Sequence, residues 1–301
     1  MPQTIQVLPV DEIEQGGINV PITELDTVEQ FDPASELGAS RYRATLPDGL
    51  PLEALLVNKD SDILVVSLHG ATDRGKYSIP RFEWLKSMLK TGYSALYLSD
   101  PTLSLRDDLE LAWYTGSAGF DLYPVLADWA CEAADAVGAK GIIFLGSSGG
   151  GLAALQISTY IPGSMALPFS CQTSIANYLV GGTLMGAQRS YVEIVMPHLA
   201  PAGVWSLKPD VDWSVPLGER SSALVRYSQP QQNFVHYVQN TRDYSHMEQH
   251  YQPFRDVIES GDNKDRVRFD LYEGPETHNP PWPDVFHSRL DDAAGWLRAT
   301  L

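Results

Sequence analysis

The apolar positions of this chain fall into two kinds of stretch, and their order predicts the architecture. Asp62-Ile63-Leu64-Val65-Val66-Ser67-Leu68 is a near-continuous β-branched run, the pattern of a strand buried on both faces. Residues 93–98, 141–145, 165–169, 234–238 and 267–272 read as further strands. Between these runs lie segments whose apolar residues recur three and four apart. They are 80–90, with Ser78 as cap and Pro80 in the first turn; 121–137, with Leu122, Leu126, Trp129 and Ala133 on one face; 150–160; 244–259; and 283–297. Upstream, residues 42–46 and 52–57 flank a Pro-Asp-Gly turn and read as a β-hairpin.

An antiparallel start followed by repeated strand–helix units predicts an α/β fold, with about eight strands in a mostly parallel sheet and helices on both faces. Residues 1–40 read as a loosely structured lead-in and 41–301 as one domain. The alternation fails over about 174–227, where short helical pieces such as 191–199 sit among Pro, Gly and Trp. That stretch is too long for an ordinary connection and reads as a cap inserted over one sheet edge.

The fifth predicted strand, counting the two of the hairpin, ends in Gly146-Ser147-Ser148-Gly149-Gly150 and passes directly into the Ala/Leu-rich pattern at 150–160. A strand, a sharp Gly-x-Ser-x-Gly turn and a helix form a nucleophile elbow, which projects the Ser148 hydroxyl beyond the sheet edge. The register centred on Ser147 fails, because Leu145 stands where it needs glycine. A phosphate-binding loop fails too, since no lysine follows Gly151.

A serine hydroxyl attacks only when an imidazole takes its proton, and that imidazole needs a carboxylate to orient it. The last two predicted strands are followed by Asp243 and by His278, the latter in a Pro/Gly-rich loop. Both positions lie where the C-terminal edge of the sheet gathers side chains beside Ser148. Asp243 also stands at a helix start, where a helix cap is the alternative reading. Glu248, Asp256 and Glu276 lie further from the strand ends, and His236 and His287 read as structural. The charge developing on an attacked carbonyl oxygen needs backbone donors. Gly149 N–H is one; the other is Ala71 N–H, in the loop Leu68-His69-Gly70-Ala71-Thr72.

The elbow, the His-Gly loop and the late acid and histidine together resemble the α/β-hydrolase superfamily over residues 41–301. That resemblance implies the chain order serine, acid, histidine, and so a Ser148–His278–Asp243 triad. More narrowly, the sequence resembles a bacterial branch near glycan-modifying genes that includes hydrolase-like proteins of the accessory Sec system. The matching pieces are His69-Gly70-Ala71 with Pro80-Arg81-Phe82, Ser99-Asp100-Pro101, Trp113-Tyr114 and Gly116, Gly146 to Gly151, Gln172-Thr173 with Asn177-Tyr178, Asn240 with Asp243 and His246, and His278-Asn279-Pro280-Pro281. Cys171 departs from the proline expected there. The branch implies carbohydrate-ester or acetyl chemistry.

Composition narrows the partners. Thirty-eight acidic residues against 21 basic give a net charge of −17, which disfavours nucleic acid and anionic membranes. No apolar run is long enough to cross a bilayer, and the first residues carry neither a basic segment nor an apolar core. With two cysteines, Cys131 and Cys171, read as small hydrophobes, a cytoplasmic protein is expected. His69, Arg74, Tyr77, Asp100 and His246 are candidate substrate contacts, while Trp113, Tyr114, Tyr178, Trp205 and Trp213 offer aromatic faces to sugar rings or to the core. His246 and His250 have metal-ligand spacing, yet His-Met-Glu-Gln-His matches no zinc-protease motif. The expectation is therefore a serine hydrolase of a carboxylic ester, acting on a small-molecule or glycan ester without metal or cofactor. An acyltransferase with the same triad, a non-catalytic binding protein on this scaffold and a metal hydrolase using Asp243, His246 and His250 are the alternatives.

Overall fold

A computed structural model of the chain describes residues 5–180 and 182–301. Residues 1–4 of the expected lead-in and Gly181 of the expected cap lie outside the described residues. Nine strands form the main sheet: β1 (Ile22–Leu25), β2 (Gly38–Thr45), β3 (Pro51–Asn58), β4 (Ile63–Leu68), β5 (Ser94–Ser99), β6 (Gly141–Ser147), β7 (Met165–Phe169), β8 (Phe234–Asn240) and β9 (Val267–Tyr272). Their spatial order is β1-β2-β3-β5-β4-β6-β7-β8-β9. The strand β3 runs antiparallel to both neighbours, and all other pairs are parallel.

Strand alternation sends side chains to two separate cores. Leu64, Val66 and Leu68 of β4 join Leu96, Phe144 and Ala166 on one face, beneath helices α1 (Tyr123–Val137) and α2 (Gly149–Ser158). Ile63 and Val65 join Tyr97, Ile143, Leu145 and Leu167 on the other, beneath Leu85, Met88 and the apolar stripe Phe286, Leu290, Ala294 and Leu297. That stripe belongs to the closing helix, which spans Pro283–Arg298. Both faces are covered, which is why these strands read as continuous apolar runs rather than alternating ones.

Three local expectations are corrected. Within the stretch read as a loose lead-in, β1 pairs parallel with β2, placing Ile22 beside Arg41 and Leu25 beside Ala44. The helix expected at 80–90 shrinks to Leu85–Met88, preceded by Trp84 in the left-handed region (φ 65°). Ser78 therefore caps nothing and Pro80 lies outside the helix. Side chains hold this segment instead: Ser67 Oγ donates to Glu83 O (2.7 Å), and Arg81 N–H donates to Ser99 Oγ (3.1 Å). The helix expected at 244–259 is present but interrupted, with Tyr244–His246 leading into a π-helical turn, Met247–Tyr251, before Gln252–Ser260.

The stretch 174–227 lies between β7 and β8 and holds a two-stranded ribbon (Leu179–Val180 with Thr183–Leu184), a helix (Gly186–Ile194) and several short helical turns. Tyr191, Val192, Met196 and Trp213 from it enter the first core. No helix among the described residues is long and apolar enough to cross a membrane.

Sheet register decides what meets at the active edge. Leu68 pairs with Gly146 and with Leu98, Phe169 pairs with Ser147 and Val238, and Asn240 pairs with Tyr272. The residues just beyond β4, β6, β7, β8 and β9 therefore share one rim: His69 to Thr72, Ser148, Gln172, Asp243 and His278.

Candidate active site

Ser148 sits between β6 and α2 with φ 55° and ψ −122°, a conformation L-residues rarely adopt. The turn is tight enough that flanking side chains are excluded. A Cβ on Gly146 would lie 2.2 Å from the Gly150 carbonyl carbon, and one on Gly150 would lie 2.4 Å from Leu68 O. A Cβ on Gly70 would approach Ser148 Cβ to 3.4 Å, so the loop after β4 lies directly against the elbow.

That loop is held from behind. Glu83 Oε2 accepts from Gly70 N–H (2.9 Å), and Arg81 Nη1 donates to Ala71 O (3.2 Å). Thr72 N–H donates to Glu110 O (2.8 Å). Ala71 N–H and Gly149 N–H, the two expected oxyanion donors, have no partner among the described residues. Gly149 is the first residue of its helix, so its N–H has no intrahelical acceptor.

Asp243 and His278 meet at 2.6 Å, Oδ2 to Nδ1. Asp243 is also a helix cap, since Oδ1 accepts from His246 N–H at 3.3 Å; the cap and the contact with His278 coexist on one carboxylate. A second imidazole shares the carboxylate, with His246 Nδ1 3.2 Å from Oδ1. The rings of His246 and His278 stack at 3.8 Å with 4° between their planes. Burial works to raise the Asp243 pKa, but hydrogen bonds from both histidines outweigh it and hold the carboxyl well below the usual range. Burial depresses the His246 pKa, and the carboxylate facing Nδ1 of each ring sets a proton on that nitrogen. Nε2 of His278 has no partner among the described residues.

Asn240 binds the two loops together: Nδ2 donates to Pro275 O (2.7 Å), and Oδ1 accepts from Arg242 N–H (3.1 Å) and Gly274 N–H (2.9 Å). Arg242 and Glu276 form an ion pair across the same gap. A cavity of about 470 Å³ opens on this histidine side, lined by Tyr178, Leu179, Tyr244, Thr277, His246 and His278 among others.

The remaining candidates separate. His69 is buried, with Nδ1 at 2.8 Å from Gly70 O and Nε2 accepting from Asp100 N–H at 2.9 Å. Asp100 is buried as well, accepting from Thr102 N–H (3.0 Å) and Tyr114 N–H (2.8 Å). Both hold the loops on which the site is built. Arg74 donates to the carbonyls of Leu103 (3.1 Å) and Leu109 (3.2 Å), and the Tyr77 ring lies under Arg81. These two line a cavity that includes none of Ser148, Asp243 or His278. Trp113, Tyr114 and Trp213 are buried, whereas Trp205 is 83% exposed and stacks on Arg189.

Asp243, His246 and His278 put a carboxylate and two imidazole nitrogens within 4.8 Å of one another, a donor set that metals use. The rings lie parallel, however, so their lone pairs run side by side rather than converging on one point. His250, the other half of the expected metal-spaced pair, is buried and accepts from Thr173 N–H (3.3 Å).

Sequence reasoning missed the groups that position the site: Glu83, Asn240 as a clasp, and above all Gln172. The side-chain amide of Gln172 donates to Ser148 Oγ at 2.8 Å. Gln172 and Asn240 stood in the motif pieces quoted above, but only as matches without a role. Charge in a segment read as a core-facing helix was the available signal for Glu83.

The buried histidines set the acid sensitivity of the fold. Burial lowers His69 to about 4, and it lowers His236, His246 and His250 also. The unfolded chain takes up protons on these rings from about pH 6.5 downward, where the folded chain does not. Stability is therefore full above that range and is lost as pH falls through it. Asp100, raised by burial to about 6, acts in the opposite sense and offsets part of one histidine. Thermal melts are expected to show Tm falling steadily from pH 7 to pH 5; a flat Tm would contradict these assignments.

Comparison with known proteins bears on the fold. No family model and no curated protein matches the sequence. Among solved structures, the capsule O-acetyltransferase of Neisseria meningitidis serogroup A is similar at TM-score 0.55 and 16% identity, over 83% of this chain and 95% of that one. The esterase Pf2001 of Pyrococcus furiosus is similar at TM-score 0.54 and 16% identity, over 93% and 97%. The chain has the α/β-hydrolase fold. Prolyl oligopeptidase B of Galerina marginata shares it too, at TM-score 0.54 and 12% identity, over 85% of this chain and 36% of that one. The rim assembled by β4, β6, β7, β8 and β9 carries a strained serine, two backbone amides without a partner among the described residues and a carboxylate shared by two histidines.

Proposed function

We propose that the protein is a serine esterase that removes an acyl group from a hydroxyl-bearing, carbohydrate-type alcohol through an acyl-Ser148 intermediate. The observation that carries the reading is Ser148 on a left-handed elbow between two unpartnered backbone donors, Gly149 and Ala71. Ser148 Oγ attacks the ester carbonyl as His278 Nε2 takes its proton, and Asp243 stabilises the imidazolium that forms. The carbonyl electrons move to an oxygen held by the two amides. Collapse expels the alcohol, which takes the proton from His278, and water repeats the sequence on the acyl-enzyme. Hydrogen bonds of this kind often tighten only when substrate is bound, which accommodates a His278 Nε2 that is free in the unliganded site. Because His278 protonates the leaving oxygen, the cavity on its side is suited to the alcohol half, with Tyr178 and Tyr244 as ring-sized apolar walls.

A second reading is an acyltransferase in which a glycan hydroxyl replaces water. The similarity in fold to a capsule O-acetyltransferase, over nearly all of that chain, favours keeping it. One experiment tests both. Labelling by a fluorophosphonate probe at Ser148 is expected, together with turnover in a panel from acetylated sugars to long-chain p-nitrophenyl esters. Products analysed with and without an acceptor alcohol separate hydrolysis from transfer. A chain that neither labels nor turns over any ester is a binding protein on this scaffold.

A further inference from the structure

Gln172 is wholly buried, and each polar atom of its side chain is engaged. Its Oε1 accepts from Trp113 Nε1–H at 3.0 Å. An indole nitrogen only donates, so this contact fixes the orientation of the amide and turns Nε2 toward Ser148. Nε2 then donates to Ser148 Oγ (2.8 Å) and to His246 Nε2 (3.2 Å). The backbone N–H of Gln172 donates to Ser148 O (3.2 Å), which ties the residue to the elbow twice. The anchor is itself held under strain: Trp113 and Tyr114 are consecutive left-handed residues (φ 55° and 58°), pinned by the buried Asp100 carboxylate at Tyr114 N–H.

We propose that Gln172 is a catalytic residue, whose side-chain N–H stabilises negative charge on Ser148 Oγ and whose contact with His246 leaves His278 as the working base. The proposal rests on the serine-enzyme reading above. As the Oγ–H bond breaks and its proton passes to His278 Nε2, Oγ carries charge until the bond to the carbonyl carbon is complete. The Gln172 N–H is already in place for that charge and stays on its nitrogen throughout. In deacylation the same oxygen is the leaving group and receives the same hydrogen bond. His246 shares Asp243 with His278 and would otherwise present a competing lone pair. With its Nε2 occupied by the amide, only the His278 Nε2 is open to the serine proton.

Gln172→Glu separates this role from packing. It keeps the shape and the acceptor facing Trp113 but turns the donor at Ser148 into an acceptor. Gln172→Met removes the donor with no added charge. Both are expected to slow fluorophosphonate labelling of Ser148 and lower kcat by about 100-fold, the size of losing one donor at a charged centre, with KM changed little. Should either variant fail to fold, the unmodified protein supplies its own test by nitrogen NMR of the imidazoles. His246 is expected to carry its proton on Nδ1 with Nε2 bare. A proton on His246 Nε2 would overturn the proposal, as would variants that label within about threefold of the parent rate. If the parent chain itself neither labels nor turns over, the serine-enzyme reading fails and takes this role with it, a result distinct from a reactive Ser148 indifferent to Gln172.

Discussion

Ser148→Ala is expected to lower turnover by at least about 10⁴-fold, leaving only what the amides and binding alone supply. The fold is expected to survive. Alanine meets the same backbone strain that serine already meets at φ 55°. The one hydrogen bond lost, from Gln172 Nε2, is worth about 1 kcal/mol, and the amide keeps its second acceptor on His246. For a chain of 301 residues that moves Tm by only about 1–2 °C. Ser147→Ala is the matched control. Ser147 ends β6 in register with Phe169 rather than standing on the elbow, so its loss should leave turnover within a few-fold. Substantial turnover by purified Ser148→Ala, or equal losses for the two serines, would remove the nucleophile from the argument.

The elements that sequence reading recovered are those whose neighbours impose one solution. Strands covered on both faces have to be apolar throughout, and β4 to β8 were legible for that reason, whereas the edge strand β9 showed as an alternating run. The elbow was legible because close approach of Gly146 and Gly150 excludes any side chain. Asp243 and His278 followed from their place after strands, a topological fact that needs no knowledge of contacts. What stayed hidden was set by partners distant in sequence. The short strand β1 carries Thr23 and Glu24 and shows no apolar run, so only its pairing with β2 reveals it. The segment 80–84 has helical spacing, yet Glu83 is held at Gly70 N–H and Ser67, contacts that local pattern cannot report. The π-helical turn at Met247–Tyr251 lies between His246 and His250, and composition does not mark it. Gln172 is the sharpest case. A lone glutamine after a strand has no pattern, and its meaning comes from Trp113, Ser148 and His246, each on a different loop.

Asp243→Asn is the second large effect, expected to cost about 10⁴-fold in kcat/KM. The carboxylate accepts from His278 Nδ1–H at 2.6 Å, from His246 Nδ1–H at 3.2 Å and from His246 N–H at 3.3 Å. Asparagine has the same shape but only one accepting oxygen; its NH₂ group only donates. Whichever way the amide turns, one of the two imidazoles meets a donor and must move its proton from Nδ1 to Nε2. If that ring is His278, no lone pair faces the serine and proton removal stops. If it is His246, the new Nε2–H confronts the Gln172 amide and displaces it from Ser148 Oγ, while His278 loses the negative charge that stabilises its imidazolium. Where its oxygen faces His246, asparagine still caps the helix that begins at Tyr244, and in the other orientation the lost cap costs about 1 kcal/mol, so the protein should fold with a modest loss of Tm. The stacked histidines thus make the asparagine variant a harsher test than in a site with one imidazole. Turnover within about tenfold of the parent would mean that the shared carboxylate does not govern the proton on His278.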